Sequence, residues 1–78
     1  MTQERKTVSI STDFIRLDAL LKLAGTADTG GQAKVLIQAG QVTVNGEVCI
    51  QRGRKIRPGD VVQETGNQTE IRVEEETA

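Results

Sequence analysis

The sequence predicts an α+β domain: two packed N-terminal helices followed by a small, mostly antiparallel sheet. Three observations predict it. Apolar residues recur at helical spacing in two stretches before Gly40, β-branched residues alternate around Asn45-Gly46 after it, and 78 residues leave room for one core. Hydrophobic residues are 36% of the chain and aromatics only 1%, so that core is aliphatic. In a domain this small most apolar side chains serve packing, which limits how many a ligand pocket can claim.

Residues 1–7 are polar and read as a flexible N-terminus, after which Val8-Ser9-Ile10 alternates as a short edge strand. Ser11, Thr12 and Asp13 are N-cap types ahead of a periodic run. Phe14, Leu17, Leu20, Leu21 and Ala24 then form one buried stripe of a helix over 13–24, with Gly25 as its left-handed stop. Thr29, followed three residues later by Gln32, fits a capping box that opens a second helix. Ala33, Leu36 and Ile37 give that helix its apolar face and Gly40 closes it. The short connection makes the two helices a tight pair.

Beyond Gly40 the period changes to that of strands. Val42, Val44, Val48 and Ile50 flank Asn45-Gly46, a strong hairpin signal. A two-residue loop pairs Val44 with Glu47 and leaves Val48 and Ile50 on the other face. A three-residue loop, or an equivalent bulge, gathers all four on one face and is the expected register. Pro58-Gly59-Asp60 forms a turn, Val61-Val62 a strand, and Ile71-Arg72-Val73 a last alternating segment. A single domain is expected over 8–73, and residues 74–78 read as a frayed acidic tail that could screen cations elsewhere.

Charge is segregated. The formal net charge is −1, yet residues 30–63 hold five cations against two anions and residues 64–78 hold five anions against one cation. Four of the cations, Arg52, Arg54, Lys55 and Arg57, crowd into one turn-rich segment. That pattern fits a polyanion footprint on one face, and it also fits a solvated loop. The chain contains no histidine, and its single cysteine, Cys49, lies in an apolar strand as a buried structural thiol. Acid–base, nucleophilic and metal chemistry therefore lack a candidate constellation, so no enzyme, cofactor or metal is expected. No apolar run reaches membrane-spanning length, and the lone thiol suits a cytoplasmic setting.

Arg16-Leu17-Asp18, Leu20-Leu21, Gly25, Gln32-Ala33-Lys34, Leu36-Ile37, Gly40, Val42-x-Val44-Asn45-Gly46 and Pro58-Gly59-Asp60 stand in an order and spacing that resembles the S-four RNA-binding domain, or alpha-L motif. The match covers about residues 14–62. Leu21 to Gly25 and Thr29 to Lys34 are most similar to the stand-alone bacterial members of the YaaA and YbcJ type. The resemblance implies RNA binding through the helix pair and the adjoining hairpin, with structured ribosomal or transfer RNA as the partner. Many members carry Ser-Arg where Thr29-Gly30 stands here, so one basic phosphate contact is missing.

In that setting Arg52 and Arg54 can fork onto phosphate oxygens, while Lys34 and Lys55 act as point charges. Pro58 biases Arg57 toward an extended backbone that holds its side chain outward. Thr29, Gly30 and Gly31 offer bare N–H groups at a helix start to a phosphate, although the glycines equally suit close helix packing. Gln32, Lys22 and Arg16 complete the candidate surface, with Arg16 equally suited to pairing inside the fold. Asn45 fits an RNA contact or a left-handed turn, and Asp18 and Asp60 read as structural. Phe14, assigned to the core, removes base stacking from the expectation. The cationic segment and the start of the second helix are expected to form one electropositive cradle on a monomer. An adaptor role on a ribosomal or replication-associated protein is the alternative, and no membrane or small-molecule substrate is expected.

Overall fold

The computed structural model describes residues 4–66 and 68–76 of the chain. A strand comes first. β1 (Glu4–Ile10) runs parallel to the last strand, β7 (Thr69–Glu75), from Glu4 opposite Thr69 to Ile10 opposite Glu75. The expected order, helices before sheet, is corrected accordingly. β1 takes in residues 4–7 of the segment expected to be flexible, while residues 1–3 lie outside the described residues. Glu74 and Glu75, expected in a frayed tail, are ladder residues, and the Glu76 N–H donates to the Ile10 carbonyl at 2.8 Å. Thr77 and Ala78 lie outside the described residues. The reason is that main-chain ladder bonds to a distant partner hold these polar ends, and local composition does not display such a partner.

The first helix also starts later than expected. Ile15–Arg16 form β2, antiparallel to β5 (Lys55–Ile56), and α1 covers Leu17–Leu23. Thr12 caps nothing; its hydroxyl donates to the Phe14 carbonyl at 2.8 Å. A seven-residue helix is marginal alone. Leu17, Leu20 and Leu21, all at 0% exposure, hold it in place, each contributing about 1.5–3 kcal/mol by burial. Gly25, at φ +78°, stops the helix as predicted. Lys6 of β1 donates its ammonium to the Ala24 carbonyl at 2.7 Å, a cation on the negative helix end.

α2 (Gly30–Gln38) packs on α1 and buries Ala33 and Ile37. β3 (Val42–Val44), β4 (Glu47–Val48) and β6 (Val61–Glu64) complete a five-stranded sheet of order β1-β7-β6-β3-β4, parallel only between β1 and β7. One face carries Val8, Ile10, Val42, Val44, Val62, Ile71 and Val73 into a core shared with both helices. No helix among the described residues is long and apolar enough to cross a membrane.

The hairpin takes the other register. Val44 lies opposite Glu47 and Thr43 opposite Val48, so the loop is Asn45-Gly46 alone. Both residues are left-handed, at φ +52° and +88°, which gives a turn whose twist matches the strands. The three-residue loop is thus overturned, leaving Val48 and Ile50 63% and 62% exposed. Cys49 turns inward in their place, its N–H on the Val42 carbonyl at 3.0 Å, buried as the sequence suggested. The two left-handed residues, not the count of apolar side chains, set the register.

Candidate nucleic-acid interface

The cationic segment is fastened by its main chain. The N–H of Leu17 donates to the Arg54 carbonyl at 2.9 Å and that of Asp18 to the Arg52 carbonyl at 3.0 Å. These are first-turn donors of α1, which its N-cap residue, Arg16, leaves without a side-chain acceptor. The loop therefore caps the helix, and the helix holds the loop. Main-chain anchoring leaves the side chain of Arg54 directed by the loop and not consumed by it.

Strand parity then sorts the side chains of the β2–β5 ribbon. Ile15 and Ile56 stand opposite each other and pack on the core, which places Arg16 and Lys55 on the outward face. Arg57 follows on the same alternation and is exposed, its N–H accepted by Asp60 Oδ2 at 2.9 Å. Phe14 stands on this face too, with the Lys55 ammonium 4.9 Å from its ring centroid. It is 39% exposed, so its expected place in the core is corrected: α1 has not begun at residue 14, and the helical stripe does not reach it.

Not all the cations are free. Asp18 Oδ2 lies 3.3 Å from both Arg16 Nη2 and Arg52 Nε, and Arg16 also lies against Gly53. These two arginines brace the loop onto α1 through a carboxylate that the sequence marked only as structural. Arg54, Lys55, Arg57, Lys22 and Lys34 make no ion pair with any described residue. None of the described glutamates pairs with the segment.

The α2 start behaves as the capping residues suggest, with one change of partner. Thr29 Oγ1 accepts from the Gln32 N–H at 3.1 Å, while Gln32 Oε1 reaches past Thr29 to the Asp28 N–H at 2.7 Å. No atom lies within 4 Å of where a Cβ on Gly30 would stand, and one on Gly31 would meet only Thr29 Oγ1 at 3.8 Å. Helix packing therefore does not require either glycine. Their N–H groups have no acceptor among the described residues. Lys34 lies one turn further along α2 and Lys22 in the last turn of α1.

The two devices do not merge into one loop. The cationic ribbon is bonded to the first turn of α1, whereas the connection to α2 stays tied to its last turns, with the Thr26 and Ala27 N–H groups on the Leu21 carbonyl. One length of α1, about 10 Å along its axis, lies between the anchoring points. Between them the outward side of α1 holds a shallow hollow of about 420 Å³ lined by Ile15, Ala19, Lys22 and Leu23. Asn45 lies beyond, with both ends of its amide engaged: Oδ1 accepts from the Val61 N–H at 3.0 Å and Nδ2 donates to Asp60 Oδ1 at 3.1 Å. It joins the hairpin turn to the Pro58–Asp60 turn.

A family model described as the S4 domain matches residues 8–74. The chain belongs to the S4 domain family. Among curated proteins it is similar to the probable ribosome maturation protein RlbA of Bacillus subtilis, 44% identical over 59 residues that cover 76% of this chain and 83% of that one. It is also similar to the putative RNA-binding protein YbcJ of Escherichia coli, 39% identical over 57 residues covering 73% of this chain and 81% of that one. Neither name is that of an enzyme.

Proposed function

We propose that the chain is a non-catalytic RNA-binding protein that recognises structured RNA of the ribosomal class through phosphate and shape contacts. The observation that carries this is the set of cations left without acidic partners along α1: Arg54, Lys55 and Arg57 at one end, Lys22 in the last turn, and Lys34 on α2. Supporting it are the family, the RNA-binding name of one relative and the ribosome-maturation name of the other. Paired bases of an RNA helix are read largely by shape, and its phosphates by cations and helix starts. The exposed α2 amides stand where an arginine is common in the family, and offer the same anion a neutral donor pair.

Five phosphate contacts give a log–log salt slope of roughly −3.5 to −4.5. The variant Arg54→Ala, Lys55→Ala, Arg57→Ala removes three of them, flattening the slope by roughly 2 to 3 and lowering affinity about a hundredfold at moderate salt. Titration of a labelled ribosomal RNA fragment at several salt concentrations measures both. An unchanged slope in the triple variant sinks the assigned surface.

A second reading, docking on a ribosomal protein, is favoured by Leu23, Val35, Val48 and Ile50, each more than 60% exposed. Partners retained by the immobilised protein after nuclease treatment, and lost on Val48→Ser with Ile50→Ser, distinguish it from RNA binding.

A further inference from the structure

We infer that Phe14 is a stacking platform for an unpaired nucleobase of the bound RNA, set on the same outward face as Lys55 and Arg16. The inference rests on the RNA reading above and adds base contact to a surface argued so far from phosphate alone. Phe14 is the only aromatic residue in the chain, and it is 39% exposed although the aliphatic core beside it is closed. Its ring stands on the ribbon's outward face, where Lys55 holds an ammonium 4.9 Å from the centroid.

The backbone that carries the ring is held before any ligand arrives. The Thr12 hydroxyl fixes the Phe14 carbonyl at 2.8 Å, and the next residue, Ile15, is locked in the ladder opposite Ile56. A held backbone lowers the entropy cost of ordering the side chain on binding. A nucleotide presents an apolar π face and, one linkage away, a phosphate. An exposed ring beside the Lys55 ammonium complements both halves at once, and every base offers such a face, so the contact tolerates sequence. One ring cannot read a duplex. Loops and bulges, whose bases splay out, supply the occupant.

The test compares two RNA probes at low ionic strength: a stem-loop with a uridine loop, and the same stem-loop with abasic riboses in that loop. Wild-type protein should prefer the uridine loop. Phe14→Leu, which keeps an apolar side chain and removes the ring, should lose about 5- to 100-fold on the uridine loop, little on the abasic one, and keep the wild-type salt slope. Phe14→Tyr should bind as wild type. Equal wild-type affinity for both loops, or a Phe14→Leu variant that binds the uridine loop as wild type does, overturns the stacking role alone. Binding to neither RNA by wild-type protein removes the RNA reading and the stacking role together.

Discussion

Asp18 and Glu70 each gather two arginines, with side chains that are equally shielded at 11% exposure. Asp18 Oδ2 lies 3.3 Å from Arg16 and from Arg52, while Glu70 Oε2 lies 3.2 Å from Arg72 and 3.9 Å from Arg5. The surroundings differ. Arg5 faces Glu70 across the β1–β7 ladder and Arg72 sits two residues along the same strand, so these charges are settled within the outer face of the sheet. Around Asp18 the chain continues into Arg54, Lys55 and Arg57, whose side-chain charges no described carboxylate pairs with. Cation content alone therefore does not locate a site. What matters is charge left over after the fold has used its share.

The largest effect separating the two clusters is in binding. Arg5→Ala with Arg72→Ala removes two cations that pair with Glu70 on the sheet and leaves the ribbon cations in place. RNA affinity and salt slope should stay at wild-type values, against the about hundredfold loss expected for the ribbon triple variant. A matching loss in the sheet variant would move the interface to the sheet.

A smaller effect is expected in stability. Asp18→Asn breaks the brace between α1 and the loop, and should cost about 1–3 kcal/mol in chemical denaturation through weakened bonds to charged groups. Its RNA affinity should not fall, because Arg16 and Arg52 are released toward the ligand. A variant as stable as wild type that binds RNA less well would mean Asp18 acts on the RNA side and not as a brace.

The smallest effect is in the acid limb of the stability curve. The Arg72 hydrogen bond, aided by Gln63 and by the charges of Arg72 and Arg5, holds the Glu70 carboxyl below its ordinary range against the opposing pull of burial. A carboxylate so depressed stabilises the fold above the unfolded Glu range, and that contribution disappears as pH falls through the lowered value. Melting temperature should therefore drop with acidification, less steeply in Glu70→Gln. Carboxyl titration by NMR should show Glu70 moving up in Arg72→Ala; no movement would assign the shift to another cause.

Features fixed by neighbours in the chain were legible in advance. Gly25 stops α1, Thr29 accepts from Gln32 at the start of α2, and Asn45-Gly46 makes the hairpin, because each depends on a few adjacent torsions. The start of α1 was not legible. Its donors are met by carbonyls of residues 52 and 54, more than thirty positions away, so the capping types at 11–13 are bypassed. The same distance hid the parallel partner of β1 and moved Phe14 from the interior to the surface. The hairpin register failed for a different reason: apolar pattern and turn chemistry conflicted, and turn chemistry won. Of the candidate site, the cationic segment was visible in composition, but its division into bracing and unpaired residues required Asp18 to be seen between Arg16 and Arg52.

The carbonyls of Arg52 and Arg54 that close the first turn of α1 belong to the main chain, and any amino acid in the same conformation would supply them. Support and recognition are thereby uncoupled at position 54. Replacing its side chain alters what the surface attracts without touching the bond that seats the helix. Inserting or deleting one residue between Gln51 and Lys55 would instead withdraw the carbonyls and unseat α1. Homologous chains adapted to different nucleic acids should accordingly vary in side-chain identity across this stretch while keeping its length.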